Sequence, residues 1–290
     1  MKLKLITATI FGLGLSSMAH AAYTPPTGPL YIQFSNVEQI SASNSIVAPS
    51  GAHEGNWGVF EVSNIAKGDI NSSTTDWNPI SPSVWNNETT DGAEITGMWW
   101  GVTNLASSDC PTGAAICANG GFLDLFWDKT PDAQLGIATP LDRTSDNTFN
   151  NFTDGDFLVR LAFASGIATG NPLVDIIGST APTNSLFVGL ANSYLNVADK
   201  NADGVIDSND GLWAKAWDTD YFNTAFGKRD VRLRNVYNDM ARWNGAPGSD
   251  VFGAESSDPL RVMTVPEPAS MSIFGLGLLG MGALRRRKHG

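Results

Sequence analysis

The sequence predicts an all-β protein, an antiparallel β-sandwich of jelly-roll-like character carrying one loop insertion. Three observations predict it. Apolar and polar residues alternate with period two in short runs at 30–34, 57–65, 94–105, 122–128, 156–165, 185–195 and 231–236. Clusters of Gly, Pro, Asn and Asp separate those runs, as at 51–56, 150–155 and 246–250. Helical patterning is scarce and no solenoid or propeller repeat is visible.

The chain begins with an address. Lys2 and Lys4 precede the apolar run 5–18, and Ala19-His20-Ala21 fits a small-x-small cleavage site, so 1–21 reads as a secretory signal peptide. The body expected to fold is 22–264, the size of one generous sandwich.

Within the body, 122–128 (FLDLFWD) sets Leu123, Leu125 and Trp127 on one face and Phe122, Asp124, Phe126 and Asp128 on the other. Asp124 and Asp128 lie about 13 Å apart along a strand, too far for either standard glycosidase geometry, and read as solvated outer-face carboxylates. The single body histidine, His53, stands in a Gly-flanked turn and reads as a surface residue. No G-x-S-x-G, Walker or H-E-x-x-H motif occurs. The sequence therefore names no catalytic residue. Of nine tryptophans, Trp77 and Trp85 sit in the polar stretch 73–87 (STTDWNPISPSVWNN) and are the best placed for stacking on a ligand. Trp57, Trp99 and Trp127 read as core.

Cys110 and Cys117 enclose CPTGAAIC. With an export signal the default is a structural disulfide, contributing on the order of 2–3 kcal/mol in the chain-entropy model. The best helix prediction is 210–217. The 229–243 region is equally consistent with strand.

Residues 199–210 read DKNADGVIDSND. Asp199, Asn201 and Asp203 place side-chain oxygens at loop positions 1, 3 and 5. Gly204 stands at 6, the Val205 carbonyl at 7, Asp207 at 9 and Asp210 at 12. This is the oxygen cage of an EF-hand loop and predicts one structural calcium ion. Asp210 in place of Glu makes the stretch resemble dockerin-type loops. No second copy occurs, so a cohesin partner is not implied. Extracellular calcium would load even a weak site, with a dissociation constant of about 10⁻⁴–10⁻³ M.

The last 26 residues have three parts in order: VPEPAS at 265–270 with Pro266, Glu267 and Pro268, an uncharged apolar run to 284, and Arg285-Arg286-Arg287-Lys288. This tail resembles the PEP-CTERM sorting signal of Gram-negative bacteria, the tag read by exosortase. As a helix, 269–284 would span about 24 Å, a short transmembrane segment whose basic cluster stays cytoplasmic. The body also resembles one kind of PEP-CTERM ectodomain, in Ile95-Thr96-Gly97, in Asp128-Lys129-Thr130-Pro131-Asp132, in the FTDGDFL stretch at 152–158, and in Ser256-Ser257-Asp258-Pro259.

The resemblance implies export across the inner membrane, transient anchoring, exosortase processing, and residence at the cell surface or in an extracellular matrix beside exopolysaccharide. With no catalytic motif, a non-enzymatic role is expected. The alternatives are a carbohydrate-binding module and a carboxylate-dependent polysaccharide-acting enzyme. Net charge is −11 for the whole chain. Without the six basic residues of the ends and Glu267, the body carries 12 basic against 28 acidic residues, net −16. Such a surface repels phosphate backbones and excludes a nucleic-acid partner.

Overall fold

The computed structural model describes residues 24–88, 92–180 and 188–265. The expected signal peptide and the sorting tail from 266 onward, with its expected transmembrane helix, lie outside them. Among the described residues no helix is long and apolar enough to cross a membrane.

Eight antiparallel strands organise the chain: β1 (Gly28–Ser41), β2 (Asn56–Asp69), β3 (Glu94–Asn104), β4 (Phe122–Asp128), β5 (Asp156–Ala164), β6 (Val188–Val197), β7 (Val231–Asp239) and β8 (Val251–Thr264). Each pairs with the next, and β8 pairs back onto β1 from Gly28↔Thr264 to Ser41↔Val251. The all-β class stands. The arrangement is an up-and-down barrel closed on itself, where a sandwich of two sheets was expected. Closure follows from the 14-residue match of β1 with β8, which removes both sheet edges at once. Period-two alternation is the same in a sandwich and a barrel, so the strand patterns alone could not separate them.

Three further segments join the wall, of which Asn78–Asn86 pairs with the second half of β2. Ile116–Asn119 continues β4 backwards and pairs with the end of β3, while Ile176–Gly178 continues β5 and pairs with β6. The bend into β4 lies at Gly120-Gly121, both at positive φ. A Cβ on Gly121 would come within 2.8 Å of the Trp100 carbonyl oxygen, so the backbones meet there only because no side chain intervenes. Cys110 and Cys117 are bonded at the same end, with Cα atoms 5.5 Å apart.

Side chains alternate across the wall. At one end Leu30, Ile32, Phe60, Leu125, Leu161 and Val262 belong to the interior cluster. That end is plugged by Trp213 and Trp217, whose rings lie 5.2 Å apart. The helix there runs only from Ala214 to Trp217, shorter than the 210–217 expected. Its predicted first turn instead bonds to β5, Leu212 N–H donating to the Phe157 carbonyl and Trp213 N–H to that of Leu158. The 229–243 region resolves into β7 followed by a short 3-10 turn, Ala241–Trp243.

A second apolar layer covers the outer wall. Val37, Trp57, Val59 and Met98 point outward and pack under Phe149, Phe152 and Trp243. The Trp57 and Trp243 ring centroids are 5.3 Å apart, and Arg143 lies over Trp57 while forming a two-pronged ion pair with buried Glu54.

Candidate functional site

The acidic loop joins β6 to the helix that plugs the barrel. Its carboxylates and amides fold it on themselves. Asp203 N–H and Gly204 N–H donate to the two oxygens of Asp199 at 3.2 and 2.6 Å, and Val205 N–H donates to Asp203 at 2.9 Å. Gly204 has φ +86°, the left-handed turn that glycine at the sixth loop position serves. Asp210 is fully buried and accepts from the N–H groups of Lys200, Asn201 and Asp207. Burial pushes its carboxyl up, but these donors outweigh it and hold it below the ordinary range. The predicted ligands Asp199, Asn201, Asp203, Val205, Asp207 and Asp210 thus share one turn-rich loop.

The carboxylate trio that does converge among the described residues, with oxygens within 4.8 Å, is Glu94, Asp128 and Asp132. Glu94 is buried and accepts from the N–H groups of Asp132 and Ala133, and Asp128 accepts from Thr130 N–H. These bonds make the trio an anchor for the turn after β4.

Two expectations need correction. Trp77 and Trp85 are buried, not displayed. Trp77 stacks on Phe222 at 5.3 Å and donates its Nε1–H to the Leu30 carbonyl. Trp85 joins the interior cluster beside Trp127. Their polar sequence neighbours face water while the indoles fold onto the barrel, because a ring of that size is stabilised far more by burial than by exposure. Asp124 is also not solvated: it lies on the outer face as expected, but Arg160 on β5 clamps it at 2.8 and 2.6 Å. His53 is exposed, as expected.

The sequence did not point to the polar cluster inside the barrel at the end away from the tryptophan plug. Asn36 and Glu38 of β1, Asn56 of β2, Asn235 and Tyr237 of β7, and Ser256 and Asp258 of β8 meet there. Asp258 accepts from Asn36 Nδ2 (2.9 Å), Asn235 Nδ2 (3.0 Å), Ser256 Oγ (2.7 Å) and Val236 N–H (3.1 Å). Burial still dominates and raises its carboxyl well above the ordinary range. Glu38 accepts from Asn56 Nδ2 at 2.6 Å. Burial pushes its carboxyl up to about 7, against the bond from Asn56 and the nearby Asn235 amide, which lower it. A signal existed: in β1 the residues Asn36 and Glu38 continue the alternation that places Leu30, Ile32 and Phe34 inside.

No curated protein and no solved structure matches the chain. A family model described as the PEP-CTERM protein-sorting motif matches residues 264–288. The match begins at Thr264, the last residue of β8, and extends through the Arg cluster. The chain therefore carries, directly after its closing strand, the sorting motif of an exported, membrane-transiting substrate of exosortase.

Proposed function

We propose that the chain is a non-enzymatic component of a Gram-negative cell surface or extracellular matrix, released by exosortase and working beside exopolysaccharide. The observation that carries this reading is the position of the sorting motif. Thr264 still pairs with Gly28, and Val265 N–H donates to the Ala216 carbonyl at 3.0 Å. Processing beyond Pro266 to Pro268 would remove no barrel strand, so the released body would keep all its wall hydrogen bonds. Intact mass of the protein recovered from its native surface tests this. Loss of the segment after the PEP motif is expected, and a full-length C-terminus would mean permanent anchoring instead.

The same reading assigns the acidic loop a structural calcium ion. Its ligands would be the side chains of Asp199, Asn201, Asp203, Asp207 and Asp210 and the Val205 carbonyl, all oxygens suited to a hard cation. The ion would tie the end of β6 to the tryptophan plug. The carbohydrate-binding alternative loses its two nominated aromatics, since both are buried.

A further inference from the structure

The polar cluster stands beside a cavity of about 90 Å³ inside the barrel. Its walls are apolar and partly aromatic, with Phe34, Trp99, Leu123, Phe163 and Leu233 among them. Small residues open the space. Glu38 pairs across the wall with Gly58 on one side and Ala254 on the other. A Cβ on Gly58 would lie 2.4 Å from the Trp99 ring and 2.7 Å from Glu38 Cβ, so the glycine allows indole and carboxylate to share this level.

Once Glu38 is ionised, the hydrogen-bond inventory of the cavity is one-sided. Two buried oxygens among its lining residues, Glu38 Oε1 and Asn235 Oδ1, have no donor. The neighbouring donors are engaged already. Asn56 Nδ2 bonds Glu38 Oε2, Asn235 Nδ2 bonds Asp258, Tyr237 Oη bonds the Thr180 carbonyl, and Trp99 Nε1 bonds Asn56 Oδ1. Buried acceptors left without a donor are costly and mark a place where a further group is needed. Glu38 itself is 3% exposed.

We propose that the barrel interior is a binding site for a small primary amine, its ammonium donating to Glu38 Oε1 and Asn235 Oδ1 and its short alkyl body lying against Phe34, Trp99 and Phe163. An eight-stranded barrel is just wide enough to hold one small ligand. The cavity volume corresponds to about three liquid waters, or a molecule of about five heavy atoms. An ammonium suits the two free acceptors because it brings three donors and a positive charge to a carboxylate, with aromatic faces nearby. The ligand would exchange its charge for the proton that burial keeps on Glu38. Binding therefore strengthens as pH rises through the Glu38 titration. The groups facing Glu38 are Asn56 from β2, Asn235 and Tyr237 from β7, and Asp258 from β8.

The test is thermal unfolding of the purified protein with butylamine, and with butanol as the uncharged analogue of similar size. Butylamine should raise Tm saturably, more at about pH 8 than at about pH 6, while butanol gives a smaller shift. Glu38→Gln keeps the shape and should bind butylamine about tenfold more weakly or worse, with the pH dependence gone. Ala191→Leu fills the cavity from β6 while leaving Glu38 in place, and should also abolish the shift. Absence of a saturable shift in the unaltered protein would overturn the proposal and leave the cavity to water. So would equal effects of butylamine and butanol, an undiminished response in Glu38→Gln, or an undiminished response in Ala191→Leu.

Discussion

Replacing Glu38 with Gln should make the protein more stable at alkaline pH and change little at acid pH. Glu38 is raised from 4.5 to about 7 by burial inside the barrel. Between those values the folded state holds a proton that the unfolded chain releases. The stability it confers is complete below the unfolded value and is lost as pH rises through the folded one. Raising the carboxyl from 4.5 to about 7 makes the loss from Glu38 about 3 kcal/mol. A glutamine amide at this position has no proton to lose and keeps a donor in the same place. Urea unfolding at about pH 5 and about pH 8 measures the difference. The Glu38→Gln variant should overtake the unaltered protein by about 3 kcal/mol at the upper pH. Asp258 is raised for the same reason and shifts both proteins in the same direction, so some decline with pH should remain in the variant. A stability difference that does not vary with pH, or a variant that is weaker at pH about 8, would refute the assignment of Glu38 to a dry interior.

Other expectations follow from the outer wall and the loop. Calcium should raise Tm, Asp203→Ala should abolish that rise, and an unchanged melt on chelation would remove the site. Asp76 lies 3.6 Å from Arg232 and 3.5 Å from Arg261, both of which are buried. Asp76→Ala leaves two buried guanidiniums without their carboxylate and should cost about 2 kcal/mol in urea unfolding, below the figure for a fully buried pair because Asp76 is itself 38% exposed. Trp77→Ala should cost about 3–5 kcal/mol, where a displayed stacking residue would cost almost nothing. Arg160→Ala strands buried Asp124 and should destabilise by about 3 kcal/mol, an effect that Asp124→Asn in the same chain should largely relieve.

The strands that the sequence revealed have inward faces that are mostly apolar, as in the runs at 57–65 and 122–128. β8 was not seen as a strand for the opposite reason. Its inward residues include Ala254, Ser256 and Asp258, and Pro259 stands in its middle, which argues against a central strand. Pro259 is tolerated opposite Gln33 on β1. Because β8 was missed, closure was missed, and with it the interior where Glu38 and Asp258 meet. Trp77 and Trp85 failed differently. Exposure was inferred from sequence neighbours, while burial depends on what the segment packs against, here Phe222 and Trp127 from distant parts of the chain.

By itself the sequence determined the all-β class, most strand positions, the acidic loop and the sorting tail. These are written in contiguous residues, by period-two alternation, by ligand spacing and by a short motif in fixed order. Only the tertiary structure decided that the strands close into a barrel and that a carboxylate from each terminal strand faces its interior. Glu38 and Asp258 lie 220 residues apart. What brings them together is the pairing of β1 with β8, a long-range match of backbone hydrogen bonds that no local pattern encodes.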